Sequence, residues 1–89
     1  PMDAHAPWRL SPQVSVRPEP FGALLYHFGT RKLSFLKDRN LLAVVEHLDS
    51  SESALAACDA AGIPPADRPT YLRALETLAA SAMIEDRTS

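Results

Sequence analysis

The groups able to do covalent, acid–base or metal chemistry are three histidines, one cysteine and eleven carboxylates in 89 residues, and their spacing offers no catalytic set. His5, His27 and His47 are scattered over a polar tail, a strand and a helix, and no His or Cys stands at metal-ligand spacing from another. Cys58 sits in an alanine-rich segment, where a free thiol behaves as a small hydrophobe. Glu46, Asp49, Glu52, Asp59 and Asp67 fall on wet helix faces or at helix starts, which capping and solvation explain. There is no glycine-rich phosphate loop, no Gly-x-Ser-x-Gly and no repeat. The remaining chemistry is non-covalent recognition, so the chain is expected not to be an enzyme and to carry no metal or cofactor. Charge gives that recognition a sign. Residues 31–39 hold four basic side chains, Arg31, Lys32, Lys37 and Arg39, against Asp38 alone, while residues 40–67 hold five acidic ones and no Lys or Arg. Such a distribution serves solubility, and it also makes a basic edge that would attract an acidic peptide.

The element that must position that edge is residues 21–36, FGALLYHFGTRKLSFL, which read as a β-hairpin whose second strand, 31–36, is an unpaired sheet edge. Gly29-Thr30, glycine first, suits a type II′ turn. Counting outward pairs Phe28 with Arg31, His27 with Lys32, Tyr26 with Leu33, Leu25 with Ser34 and Leu24 with Phe35. Alternation then collects Leu24, Tyr26, Leu33 and Phe35 on a face expected to be covered. It puts Leu25, His27, Lys32 and Ser34 on one that can face water. Hydrogen-bond parity, counted from Phe28–Arg31, leaves Lys32 and Ser34 with outward N–H groups.

Around the hairpin, residues 13–17 alternate as a short strand closed by Pro18 and Pro20. Residues 1–12 carry three prolines and no periodicity and read as a flexible arm, with Trp8 and Leu10 left to pack on the domain itself or on a partner. Pro1 ahead of Met2 reads as the remnant of a removed tag. Asp38 caps a helix from Arg39 that buries Leu41, Leu42, Val44, Val45 and Leu48. A second helix, 52–61, capped by Ser51 or Ser53, turns Leu55 and Cys58 inward, with Ile63 following, and ends at Gly62. A third runs from Asp67 or Arg68 to Ala82 with Tyr71, Leu72, Leu75, Leu78, Ala79 and Ala82 as its apolar stripe; residues 85–89 should fray. Strands followed by helices indicate an α+β fold: a three-stranded antiparallel sheet, then a three-helix bundle, as one domain over 13–84. The lone cysteine fits a reducing, cytoplasmic compartment, and no apolar run is long enough for a membrane span.

The hairpin, the capped helix LLAVVEHLD and the closing YLRALETLAASAMIE resemble the PqqD-like precursor-recognition domains of peptide natural-product pathways. Residues 17–37, RPEPFGALLYHFGTRKLSFLK, are similar to the signature of the mycofactocin biosynthesis chaperones among them. The resemblance covers residues 8–84; its hairpin is specific and its helical half generic. It implies a winged-helix-like domain that binds the leader of a precursor peptide as an added strand, in the groove between the third strand and the third helix. It also implies docking onto a radical S-adenosylmethionine maturase, which would own the iron–sulfur chemistry. On that reading the edge is Arg31, Lys32, Leu33, Ser34, Phe35 and Leu36. Leu33 and Phe35 with Tyr71, Ala74, Leu75 and Leu78 form the floor, and Arg31, Lys32 and Arg73 are contacts that nothing in the fold requires.

The helix–turn–helix spacing around Gly62 raises a winged-helix DNA-binding regulator as the alternative. Against it, the third helix carries Arg68 and Arg73 but also Asp67 and Glu76, and the supporting helices are acidic where phosphate would lie. No nucleic-acid or membrane partner is therefore expected. A small structural subunit is the other alternative. The exposed edge and the arm leave a strand-exchanged homodimer open.

Overall fold

The computed structural model describes residues 2–88; the tag reading of Pro1 and the fraying expected of Ser89 lie outside the described residues. The fold is α+β. In chain order the elements are β1 (Trp8–Leu10), β2 (Val14–Glu19), β3 (Gly22–His27), β4 (Lys32–Leu36), α1 (Arg39–Leu48), α2 (Ala54–Ala60), a 3₁₀ turn at Pro65–Asp67, α3 (Arg68–Ala80) and β5 (Ile84–Asp86). β2, β3 and β4 form the expected three-stranded antiparallel sheet in that order.

The helix boundaries follow from local chemistry. The Asp38 carboxylate accepts from the Asn40 N–H at 2.8 Å and starts α1; the Ser53 hydroxyl accepts from Ala56 at 3.0 Å and starts α2. Gly62, at φ 80°, ends α2 as expected, with Ile63 donating back to the Cys58 carbonyl at 3.0 Å. α3 stops at Ala80 rather than Ala82. There Ala82 takes the left-handed position usually given to glycine (φ 62°), and Met83 donates to the Leu78 carbonyl at 2.9 Å. Ala82 therefore leaves the apolar stripe and is exposed, while Met83 and Ile84 turn back into the core.

That turn corrects the reading of both ends. Residues 8–10, expected in a flexible arm, and residues 84–86, expected largely to fray, pair antiparallel, Trp8 with Asp86 and Leu10 with Ile84. The Arg9 guanidinium bonds the Glu85 carboxylate, and Arg87 donates to the carbonyls of Asp49 and Ser51. Trp8 and Leu10 pack on the domain's own core.

The hairpin register is the one counted from the sequence, from His27–Lys32 to Leu24–Phe35. The turn is not. Residues 28–31 form a four-residue loop in which Arg31, not Gly29, is left-handed (φ 61°), and its N–H donates to the His27 carbonyl at 2.7 Å. The His27 Nδ1 accepts the Thr30 N–H at 3.0 Å, which gives the wider loop a second internal hydrogen bond. A Cβ at Gly29 would meet the end of the Gln13 side chain, which can swing away, and lie 2.9 Å from the His27 ring.

The buried face is the reverse of the one expected. Ala23, Leu25, His27 and Leu36 are buried, whereas Leu33 and Phe35 are 55% and 59% exposed. β2 explains the choice. Val14 pairs with His27 and Val16 with Leu25, so these valines join the Leu25 face, while Ser15 and Arg17 lie beside Tyr26 and Leu24 on the other. Helices then pack on the face that all three strands can offer. The core beneath them is Leu25, Leu36, Leu41, Val44, Val45, Leu48, Ala54, Ala57, Cys58, Ile63, Leu75, Leu78, Met83 and Ile84 with Ala23. Leu55, expected inward, is only half-buried, because Ala54 and Ala57 bring α2 close.

Candidate functional site

β4 is an edge strand: among the described residues nothing pairs with its far side. Which of its backbone groups point outward follows from two bonds at the hairpin tip. Phe28 donates to the Gln13 carbonyl on the β2 side at 2.8 Å, and the His27 carbonyl turns toward β4 to accept from Arg31. Polar groups alternate along a strand, so His27, Leu25 and Ala23 bond toward β4, and their partners Lys32, Ser34 and Leu36 bond inward. The N–H and C=O groups of Leu33 and Phe35 therefore face the free edge. The expectation that Lys32 and Ser34 carry the outward N–H groups is overturned, because it took Phe28–Arg31 as a bonded pair.

Beside that edge runs an apolar groove of about 330 Å³ lined by Ser34, Phe35, Leu36, Leu41, Ala74, Thr77 and Leu78. Of the residues named from sequence, Ser34, Phe35, Leu36, Ala74 and Leu78 meet there, and Leu41 and Thr77 join them. Leu33 and Phe35 do not form an inner floor, because their side chains stand on the outer sheet face. Leu75 lies wholly in the core. Arg31 and Lys32 are exposed at the hairpin end of β4, and Arg73 is exposed on α3. Leu41 was visible in the sequence only as a core position of α1; Thr77 gave no apolar signal.

Tyr71 is half-buried, and its hydroxyl donates to the Asp38 carboxylate. That bond holds the phenol pKa above its ordinary value of 10.0, with desolvation adding to the effect. On α3, Arg68 is taken by the Asp59 carboxylate, which leaves Arg73 as the helix's other cation. Cys58 is buried, which pushes its thiol pKa up, and the neighbouring Asp59 charge adds to the shift. No three His, Cys, Asp or Glu gather into a metal-holding group among the described residues. Nor is any helix of these residues long and apolar enough to cross a membrane.

Two other clefts are larger. One of about 470 Å³ is lined by Trp8, Ala79, Ile84 and neighbours, and one of about 400 Å³ by Arg9, Leu10, Val45 and neighbours. Both border the β1–β5 ribbon, whose strands are three residues long. β2 is the sheet's other edge, and the Arg9–Leu10 cleft touches it at Val16. Along that edge, however, the Val14 N–H is taken by the Ser11 carbonyl and Pro18 has none to offer. The β4 groove is preferred as the site because its edge carries no proline and both Leu33 and Phe35 turn main-chain groups outward.

A family model described as the Peptide chaperone MftB family matches residues 7–85. A curated relative named Peptide chaperone MftB from Mycobacterium tuberculosis is 60% identical over 80 residues, covering 90% of this chain and 73% of the relative. One of the same name from Mycobacterium ulcerans is 60% identical over 77 residues, covering 86% and 71%. A third, from Mycolicibacterium smegmatis, is 54% identical over 82 residues, covering 92% and 80%. No solved structure matches the chain.

Proposed function

Because the chain belongs to the peptide chaperone MftB family, we propose that it holds the leader segment of a ribosomally made precursor peptide as a strand added to β4. It then presents that peptide to the radical S-adenosylmethionine maturase of mycofactocin biosynthesis. The observation that carries this reading is the pairing of a free edge with a groove: Leu33 and Phe35 turn their backbone groups outward along the apolar channel of Leu36, Leu41, Ala74 and Leu78. Strand addition draws affinity from main-chain hydrogen bonds and specificity from alternate side chains. An unused edge of this kind invites aggregation, and proteins ordinarily blunt it with charge or proline. Here residues 33–36 hold neither. Arg31, Lys32 and Arg73 supply positive charge to draw an acidic leader. The role needs no catalysis from this chain.

Titrating isotope-labelled protein with the leader segment, and separately with duplex DNA, tests the reading. Amide shifts should concentrate on β4 and on α3 from Arg73 to Leu78 with the leader, and be absent with DNA. Shifts confined to the clefts around Trp8 and Leu10 would sink it.

A further inference from the structure

We infer that the β4 edge selects a segment that is apolar on both of its faces, an inference that rests on the strand-addition reading above. Residues directly opposite each other in a sheet project to the same side, with Cβ atoms about 4.5–5.5 Å apart. A strand added to β4 would place the residue opposite Ser34 into the groove of Leu36, Leu41, Ala74, Thr77 and Leu78. Its residues opposite Leu33 and Phe35 would instead lie on the outer sheet face, beside those two side chains.

The outer face is not an ordinary solvated one. A sheet covered on one side usually carries polar residues on the other, and β2 obeys with Ser15 and Arg17. Toward the edge the rule fails. Leu24 and Tyr26 follow on β3, then Leu33 and Phe35 on β4, and the Phe21 ring lies with its centroid 6.4 Å from that of Phe35. The large exposed apolar side chains are Phe21, Phe28, Leu33 and Phe35, and three of these four adjoin one another at the open edge. The apolar surface thus rises strand by strand toward the position an added strand would take, and Leu33 and Phe35 are its specificity residues. A ligand with polar outward side chains would leave them wet. The occupant is accordingly a short extended peptide, apolar at consecutive positions, rather than an amphipathic strand.

The experiment uses two blocked synthetic peptides as long as the five residues of β4, each flanked by glutamates. One has Val or Ile at every strand position, and in the other these residues alternate with Ser. The parent should bind the first about tenfold more tightly, as expected from two apolar cross-strand pairs. The double variant Leu33→Ser, Phe35→Ser, altered only at exposed positions, should stay folded, with a melting temperature lowered by the lost pairs to Tyr26 and Leu24, and lose that preference. Equal affinities in the parent, or a preference surviving in the double variant, overturn the inference, while strand addition stands if Leu33→Pro abolishes binding of both peptides. Binding that Leu33→Pro leaves unchanged overturns strand addition and this inference together.

Discussion

The Tyr71 hydroxyl donates to the carboxylate of Asp38, whose other oxygen accepts from the Asn40 N–H, so one side chain both caps α1 and anchors α3. Tyr71→Phe keeps the ring and removes the bond, which should cost about 1 kcal/mol. Thermal melting should fall by ~4–8 °C on that account. The pH dependence has a definite sign. The folded-state phenol pKa lies above the unfolded one, so the stabilisation is fully present below about pH 10 and is lost as pH rises through the folded value. Parent and variant melting curves should therefore converge in strong alkali.

Parity along β4 separates two prolines. Leu33→Pro removes an N–H that points to the open edge, where proline is tolerated, and should leave the protein folded while weakening leader binding. Ser34→Pro removes a bond to Leu25 within the sheet and should unfold it. Calorimetric binding beside circular-dichroism melts makes the comparison. The opposite outcome would mean that the polarity taken from Phe28 and His27 is wrong.

Among the described residues, two that are not glycine are left-handed, Arg31 and Ala82. Glycine at either position relieves backbone strain, against a loss through greater freedom of the unfolded chain, for a net gain of about 0.5–1 kcal/mol. The two should differ in function. Ala82→Gly should raise the melting temperature without altering leader binding, whereas Arg31→Gly should raise it while slowing association with an acidic leader at low salt. Stopped-flow association rates across a salt series measure the difference.

Cys58 should be inert in the folded protein. It is buried, and its thiol is held protonated by desolvation and by the Asp59 charge. Iodoacetamide at mildly alkaline pH should leave the native mass unchanged and alkylate the chain promptly in denaturant. Rapid native labelling would show that α2 opens readily.

Local signals in the sequence were reliable where a single side chain decides an outcome. Asp38 as a cap, Ser53 as one of the two caps offered with Ser51, Gly62 as a stop and the hairpin register by counting all correspond to the structure. The hairpin by itself points to the wrong buried face. Leu24, Tyr26, Leu33 and Phe35 outnumber the apolar residues opposite them, and only the register of Val14 and Val16 across β3 reverses the choice. The turn differs for a related reason: Gly29 suggests a positive φ, but the loop is one pair wider and puts the left-handed residue at Arg31. Of the groove, the edge and the α3 residues Ala74 and Leu78 were legible from the resemblance. Leu41 and Thr77 were not, since their part depends on how α1 and α3 flank the strand.

The ribbon of β1 and β5 ties Arg9 to Glu85 across 76 positions of the chain. A contact between residues so far apart closes a long loop unless the sheet and helices have already brought its ends together, so it is favoured only after them. During synthesis the hairpins and α1 can form while later residues are still being added. Met83 and Ile84, fully buried side chains, enter the core only with the last strand. Until Ile84–Asp86 clears the ribosome the core is unfinished, and the exposed β4 edge stands on an unclosed domain, the interval in which aggregation is most costly.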